Sequence, residues 1–246
     1  MKTVGIIGYG FIGKVLKRYY PDAAVYDIVG TNKDLDEVLD REVVFIAFNL
    51  TDNAQNGLEP IEEYLRVMTP GTIVIIKSTF IPGTTDKLQT KFPHLFIIYN
   101  PEFLTEMTAW EDFTMPQFQI LGMPHQTLHL SQEIFDLLPD APVKRIISPR
   151  DAELLKHAMN SYYALKVSWF NQLYDVSHEL AADYETVREI MVQNPWIGDS
   201  HSIIFHKGYR GYGGKCLSKD PKALAAIATF PLLDHIENYN AHLRSK

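Results

Sequence analysis

The most informative stretch of this 246-residue chain is Thr3-Val-Gly-Ile-Ile-Gly-Tyr-Gly-Phe-Ile-Gly13. Its first five residues predict a short buried strand, and a helical run from Lys14 to Tyr20 follows the glycines. Gly8, Gly10 and Gly13 allow a tight turn, close approach of the backbone to a pyrophosphate, and close packing of helix on strand. The stretch therefore predicts a dinucleotide-binding unit of strand, helix and strand.

An acid ends the second predicted strand, Ala24–Asp27. Asp27 lies nineteen residues beyond Gly8, where a carboxylate can accept hydrogen bonds from ribose hydroxyls. The same carboxylate would repel a 2′-phosphate, so the predicted cofactor is NAD rather than NADP. The predicted cofactor-binding residues here are Gly8, Tyr9, Gly10, Phe11, Ile12, Gly13 and Asp27.

Further β-branched runs predict a parallel sheet that is covered on both faces. The predicted strands are Val43–Ala47, Thr72–Ile76, Leu95–Tyr99 and Phe118–Leu121, with helical or turn segments such as Gly57 to Met68 and Thr84 to Lys91 between them. Ligands of such sheets bind beyond the carboxyl ends of the strands. Lys77-Ser78-Thr79 and Asn100-Pro101-Glu102 follow two strand ends and are candidate site clusters, although ordinary turn chemistry also explains them.

The sequence pattern in the second half of the chain predicts helices. Ser148-Pro149-Arg150-Asp151 is typical of a helix start, and the helix that follows is apolar on most sides towards Glu179, as in a buried helix. Lys156 and Asn160 are one turn apart and share a face. Lys156 is either buried with a partner or extends to solvent. We expect a Rossmann-type parallel-sheet α/β domain at 1–147, followed by a smaller all-helical domain at 148–246.

The stretch Gly211-Tyr-Gly-Gly-Lys-Cys-Leu-Ser-Lys-Asp220 contains the only cysteine, Cys216. Lys215 and Lys219 flank it, and nearby cations favour the nucleophilic thiolate. The alternative is a glycine-rich turn with a buried thiol. Asp220 precedes Pro221, so helix capping is its simplest role, and capping does not exclude a chemical one.

Composition narrows the class of protein. Hydrophobic residues make up 46% and charged residues 22%, as in ordinary globular proteins. The formal charge of −7 argues against a nucleic-acid partner, and one cysteine forms no internal disulfide. The N-terminal residues enter a strand without a signal-peptide pattern, and no apolar run is long enough for a membrane span. We expect a soluble cytoplasmic protein without a metal site.

Five stretches together resemble the nucleotide-sugar 6-dehydrogenases, the UDP-glucose and GDP-mannose dehydrogenases and their relatives. In chain order they are Gly8–Gly13, Lys77–Thr85, Asn100–Leu104, Glu153–Asn160 and Gly211–Asp220. The first is shared by many folds, whereas the other four in this order are specific. The resemblance implies an NAD-binding domain followed by a helical domain whose long helix forms a homodimer interface.

The resemblance also implies a reaction. These enzymes oxidise the C6 alcohol of a UDP- or GDP-sugar to a carboxylate in two steps that use two NAD. Cys216 would attack the C6 aldehyde to give a thiohemiacetal, which is oxidised to a thioester and then hydrolysed. The other implied roles are oxyanion stabilisation by Lys156 and Asn160, activation of water by Asp220 and Glu102, and positioning of water, with a cofactor contact, by Thr79.

The sequence departs from the family both near the cofactor, at Phe48–Thr51, and where the substrate is held. Relatives carry a C-terminal domain for the nucleotide, and this chain ends where that domain would begin, so we expect a short form. The segment from Asp27 to Val43 is shorter than usual, and Phe48–Thr51 replaces a proline-containing loop. Trp196 stands in place of an arginine that reaches a neighbouring subunit's sugar, and Leu217-Ser218 replaces Phe-Pro.

Three alternatives stay open at this point. The first is a non-catalytic NAD-binding or assembly module, and the second is half of a split dehydrogenase whose nucleotide-binding domain is a separate chain. The third is a one-step alcohol dehydrogenase of the wider hydroxyacid group, in which Cys216 has no chemical role. The retention of the whole implied catalytic set argues against the first.

Overall fold

The computed structural model describes residues 2–30, 34–48, 58–105 and 107–245, without the side chain of Lys215. The chain forms two compact units, Met1–Lys156 and His157–Lys246. Of the predicted features, Asn49–Thr51 of the replaced loop and Gly57 at a helix start lie outside the described residues.

A seven-stranded sheet organises the first unit. Its strands are β1 (Val4–Ile7), β2 (Ala24–Tyr26), β3 (Val43–Ile46), β4 (Ile73–Ile76), β5 (Phe96–Tyr99), β6 (Phe118–Gly122) and β7 (Val143–Ile147), in the spatial order β2-β1-β3-β4-β5-β6-β7. The first five strands are parallel, which confirms the predicted α/β class. The sheet is not parallel throughout, because β6 pairs antiparallel with β5, and β7 follows the direction of β6.

The sequence prediction missed β7. This strand lies at the edge of the sheet, and Lys144 and Arg145 interrupt its apolar residues. An edge strand has one pairing neighbour and faces solvent, so its sequence does not form the continuous apolar run that marked the central strands.

Helices cover both faces of the sheet. In this unit they are α1 (Phe11–Tyr19), α2 (Leu35–Leu39), α3 (Glu59–Val67), α4 (Thr84–Lys91), α5 (Ala109–Thr114), α6 (Ser131–Leu137) and the start of α7 (Pro149–Glu179). Helix α4 has the predicted bounds. Helix α1 begins three residues earlier than predicted, because Gly10 already serves as its N-cap and the Gly10 carbonyl accepts from Lys14.

Two apolar layers lie on opposite faces of the sheet. Val44 and Ile76 face one layer, which α2, α3 and α4 cover, while Phe45 and Ile75 face the other, which α1, α5 and α6 cover. Successive side chains of a strand point to opposite faces, so a strand that is buried on both sides needs apolar residues at every position. This requirement explains the continuous runs from which the strands were predicted.

The buried Glu153 carboxylate connects α7 to the start of α4 through hydrogen bonds. Ser148 caps α7, because its Oγ accepts a hydrogen bond from the Asp151 amide at 3.1 Å. Glu153 is fully buried and accepts from the Gly83 amide at 2.5 Å and from the Thr85 amide and hydroxyl at 2.8 and 2.6 Å. Burial raises the pKa of the Glu153 carboxyl, and these donors at the N-terminus of α4 oppose the rise.

The described part of the second unit is helical, as predicted. After α7 come α8 (Tyr184–Met191), α9 (Gly214–Leu217), α10 (Asp220–Ile227) and α11 (Pro231–Arg244). Asp183 caps α8 by accepting from the Glu185 amide. The apolar core of this unit is split between one cluster around Val167 and Tyr212 and another around Phe170.

Candidate active site

The glycine loop between β1 and α1 has the geometry of a phosphate cradle. Gly8 has φ +99°, and a Cβ there would lie 2.8 Å from the Phe48 backbone nitrogen. A Cβ on Gly13 would lie 1.8 Å from the Gly8 carbonyl oxygen, whereas a Cβ on Gly10 would meet nothing within 4 Å. Gly8 and Gly13 are thus required by the loop itself, and Gly10 leaves open space at the N-terminus of α1. This arrangement fits a dinucleotide pyrophosphate.

Asp27 lies beside the same loop. Its Oδ2 accepts a hydrogen bond from the Tyr9 amide, and its Oδ1 accepts from the Val29 amide at 2.8 Å. The carboxylate is therefore held at the end of β2 next to the glycine turn. A negative charge at this place opposes binding of a 2′-phosphate.

We predict opposite effects for two alanine substitutions in this loop. Gly10→Ala is expected to lower the free energy of unfolding by less than about 1 kcal/mol, since alanine is a poorer N-cap than glycine, and to weaken NAD binding by about tenfold, because the new methyl group would occupy the space of the pyrophosphate. Gly13→Ala is expected to lower the free energy of unfolding by about 1–3 kcal/mol, because its methyl group collides with the Gly8 carbonyl. Urea unfolding and calorimetric titration with NAD measure both. Equal NAD affinity in Gly10→Ala and wild type would contradict the assignment of the loop.

A buried ion pair lies at the sheet edge beyond β5. Lys156 Nζ is 3.0 Å from Glu102 Oε1 and donates to the Glu102 carbonyl oxygen at 2.6 Å, and the two side chains are 4% and 11% exposed. Lys156 is therefore buried with a partner and does not extend to solvent. Thr79 is half-buried in the segment between β4 and α4.

A second buried pair lies within the other unit. Asn160 Nδ2 donates to Asp220 Oδ2 at 2.5 Å, and Asp220 is 1% exposed. Lys219 Nζ is 3.1 Å from Asp220 Oδ1 without the geometry of a hydrogen bond, and this oxygen accepts none from the described residues. The expected capping role of Asp220 is wrong: Lys219 occupies the N-cap and Asp220 is the first residue of α10. Its carboxylate is held by Asn160 instead.

Cys216 lies in α9, a single helical turn within the predicted loop, and it is exposed. The alternative of a buried thiol is therefore wrong. Gly211 and Gly214 have φ of +77° and +78°, so the chain bends at both before it enters the turn. Of the two flanking cations, Lys219 pairs with Asp220, and the Lys215 side chain lies outside the described residues.

Sequence reasoning missed Asn240, which fixes the glycine turn before Cys216. On α11, Asn240 Oδ1 accepts from the Tyr212 amide at 2.8 Å, and its Nδ2 donates to the Tyr212 carbonyl at 3.1 Å. A Cβ on Gly211 would lie 2.4 Å from Asn240 Oδ1, so glycine is required there. A sequence signal existed, because Asn240 interrupts the buried stripe of α11, which consists of Leu233, Ile236 and Leu243.

We predict that Asn240→Leu loosens this turn. The substitution leaves the buried amide and carbonyl of Tyr212 without their partner, which should lower the free energy of unfolding by about 1–3 kcal/mol. The rate at which iodoacetamide alkylates Cys216 should change with it. The control is Asn238→Leu, an exposed position on the same helix. If the two variants have equal stability and equal alkylation rates, Asn240 does not position the turn.

The described residues contain neither a metal-binding cluster nor a membrane-spanning helix. Among the described residues, no group of three or more His, Cys, Asp or Glu side chains is placed to hold a metal ion. No helix in that part of the chain has the length and apolar character required to cross a membrane.

The mostly parallel sheet, the glycine loop and the acid at the end of β2 define the class of Rossmann-type dinucleotide-binding proteins. Two family models match the chain within this class. The NAD binding domain of the UDP-glucose/GDP-mannose dehydrogenase family matches residues 38–138, and the central domain of the same family matches residues 150–242. The chain belongs to the UDP-glucose/GDP-mannose dehydrogenase family, and its cofactor is NAD.

Individual relatives agree with this assignment. The UDP-glucose 6-dehydrogenase of Streptococcus pneumoniae is 29% identical over 184 residues, which are 72% of this chain and 45% of the relative. The GDP-mannose 6-dehydrogenase of Pseudomonas aeruginosa is 29% identical over 84% of this chain and 51% of its own length. This chain therefore spans about half the length of these relatives.

A solved structure shows the same fold. The UDP-D-ManNAc dehydrogenase of Pyrococcus horikoshii superposes with a TM-score of 0.85 at 18% identity, over 99% of this chain and 69% of that one. At this level of identity the likeness concerns the fold.

Proposed function

We propose that this protein oxidises the C6 alcohol of a sugar to a carboxylate with NAD, by way of a thioester on Cys216. One observation carries the proposal: an exposed thiol follows a glycine turn, and the buried carboxylate of Asp220 lies four residues later in the chain. Within the second unit, Asn160 holds that carboxylate and leaves its Oδ1 as an acceptor. A nucleophile and a fixed base are what covalent acyl chemistry requires. The proposed compartment is the cytoplasm.

The proposed reaction forms a C–S bond between Cys216 and the sugar and later breaks it. The Cys216 thiolate attacks the C6 aldehyde carbon, and the carbonyl electrons move to oxygen to give a thiohemiacetal. NAD would serve as hydride acceptor in both oxidations, that of the C6 alcohol to the aldehyde and that of the thiohemiacetal to the thioester. The thiohemiacetal is oxidised to a thioester, water breaks its C–S bond, and the carboxylate and the free thiol result.

The other proposed roles are those that the family resemblance implies for five polar residues. Lys156 and Asn160 stabilise the negative charge on the C6 oxygen, and Glu102 and Asp220 orient and activate water, with help from Thr79. Lys156 is already held by Glu102 before any substrate binds, so its ammonium does not have to be ordered during the reaction. Donors that are aimed in advance act strongly at a site from which water is excluded.

The proposed substrate is a UDP- or GDP-sugar. The names of the Streptococcus and Pseudomonas relatives support this class. Trp196, at the position expected for a sugar-binding arginine, is 91% exposed. We therefore expect a higher KM than in a relative with the full set. Lost binding energy at the sugar would lower kcat as well.

A spectrophotometric screen of NAD reduction across UDP- and GDP-sugars tests the proposal. Two NADH per sugar and a carboxylate product are expected. One NADH per sugar with an aldehyde product would rule out the thioester scheme and favour the one-step dehydrogenase. Turnover only after addition of a second co-purifying chain would identify half of a split enzyme, and no turnover on any sugar would favour the non-catalytic module.

We also propose a homodimer that forms through α7. Tyr162, Trp169 and Val176 follow one another at intervals of seven residues and are 55%, 58% and 41% exposed. A seven-residue interval keeps side chains on one face of a helix. The helix is therefore less buried than its apolar sequence predicted, and its exposed apolar stripe is suited to a second copy of this chain.

Trp169→Glu is expected to convert the dimer into a monomer, because it places a charge in the centre of this stripe. Sedimentation velocity measures the mass of each species. Met115→Glu, an equally drastic change at a 69% exposed position in the other unit, is the control and should stay dimeric. A wild-type protein that sediments as a monomer at all concentrations would exclude the homodimer.

A further inference from the structure

Lys77 is a buried lysine that no step of the proposed reaction uses. It directly follows β4, is 5% exposed, and donates a hydrogen bond to Asn100 Oδ1. Asn100 is itself fixed, because its Nδ2 donates to the Ile120 carbonyl at 2.8 Å and to Gln119 Oε1 at 3.3 Å. The amide can therefore present only its oxygen to Lys77, and the ammonium is held at one place at the sheet edge.

The environment of Lys77 is unusual for an ammonium. Its hydrogen-bond acceptor Asn100 is a neutral amide, and the Phe113 ring, 5.6 Å from its nitrogen, offers only a weak cation–π attraction to the ammonium. Burial away from water favours the uncharged amine and outweighs this attraction. It lowers the pKa of Lys77 to about 8, well below the usual value for lysine.

Two charged groups act on Lys77 from neighbouring segments. Glu102, two residues beyond Asn100, favours the ammonium form of Lys77, and Lys156 on α7 opposes it. Since Lys156 and Glu102 form an ion pair, the three groups together carry one net positive charge when Lys77 is protonated and none when it is not. The protonation of Lys77 thus changes the net charge beside Lys156.

We infer that Lys77 is a positioning residue for the proposed oxidation, because it adds one positive charge near the Lys156–Glu102 ion pair. This inference rests on the proposed function. With Lys77 protonated, the field at the Lys156 ammonium favours negative charge on a reacting oxygen. When Lys77 is neutral, only the Lys156–Glu102 ion pair remains, and its net charge is zero. Lys77 touches neither substrate nor cofactor in this scheme and acts through Lys156.

A titration without substrate tests the charge change. In protein labelled with 13C at lysine Cε, one lysine signal should shift with a midpoint near pH 8, and that signal should be missing in Lys77→Met. The signal that is lost in Lys156→Met should show a smaller inflection at the same pH in the wild type, and none in Lys77→Met. If no lysine signal of the wild type titrates between pH 7 and 9, the inference is wrong, and this arm requires no variant to fold.

The pH dependence of kcat/KM tests the consequence. In the wild type, kcat/KM should fall by about tenfold as pH rises through 8, the effect of roughly one pKa unit of interaction. Lys77→Met should stay at the lower level throughout, and Lys77→Arg, which is charged at every pH, at the higher level. Equal pH profiles in wild type and Lys77→Met would show a merely structural lysine. Absence of wild-type turnover would instead refute the proposed function, since the titration without substrate is measured independently.

Discussion

Cys216→Ser is expected to lower kcat for sugar oxidation by at least about 10³-fold, the largest effect of any single substitution in this protein. A serine hydroxyl is a far weaker nucleophile than a thiolate at neutral pH, so neither the covalent intermediate nor the thioester forms at a useful rate. Stopped-flow measurement of NADH formation, with mass spectrometry of the trapped enzyme, follows both steps. Wild type should show an adduct on Cys216, and the variant should show none.

The controls separate chemistry from folding. Ser218→Ala, a conservative change at a partly buried position two residues from Cys216, should keep turnover within about twofold of wild type. NAD affinity should be the same in Cys216→Ser and wild type, because the substitution leaves the glycine loop and Asp27 unchanged. Nearly unchanged turnover in Cys216→Ser would establish the one-step alcohol dehydrogenase.

Lys156→Met is expected to lower kcat by about 10²–10³-fold, the range found when one oxyanion donor is removed from other enzymes. It should also lower the free energy of unfolding by about 3–5 kcal/mol, because the buried Glu102 carboxylate loses its ammonium partner. The two effects have different causes. Stopped-flow kinetics and urea unfolding measure them separately.

A double variant distinguishes the two effects. Lys156→Met combined with Glu102→Gln removes the unpaired buried charge, so most of the lost stability should return while kcat stays low. Lys87→Met, at an exposed position in the same unit, should change neither quantity. If kcat recovers together with stability in the double variant, the contribution of Lys156 is structural.

Residue spacing alone predicted part of the candidate site, and another part was predicted only through the family resemblance. Spacing alone placed Asp27 beside the glycine loop, because strand, turn and helix are contiguous in the chain. For Lys156, the residues left two possibilities, and only the resemblance suggested a buried, functional lysine. Its burial depends on Glu102, which lies far away in sequence, and no local pattern encodes such a partner.

The roles of Asn240 and Lys77 could not be predicted from the residues next to them in sequence. Asn240 lies on an amphipathic helix, and Lys77 lies in a polar cluster at a strand end, and neither pattern names the partner of the side chain. Each gains its role from a backbone or side-chain group distant in the chain, Tyr212 for Asn240 and Asn100 for Lys77. Hydrogen bonds of this kind leave no periodic signal.

Contiguous residues were sufficient to predict the central strands, the glycine turn with its acid, the start of α7 and the bounds of α4. These follow from side-chain alternation, from backbone freedom at glycine and from the free amides of a helix start. The tertiary structure alone decided the reversed direction of β6 and β7, the exposure of Cys216 and the pairing of buried charges. Those features depend on which distant segments meet, and the energy of a buried polar group is set by the partner that it finds there.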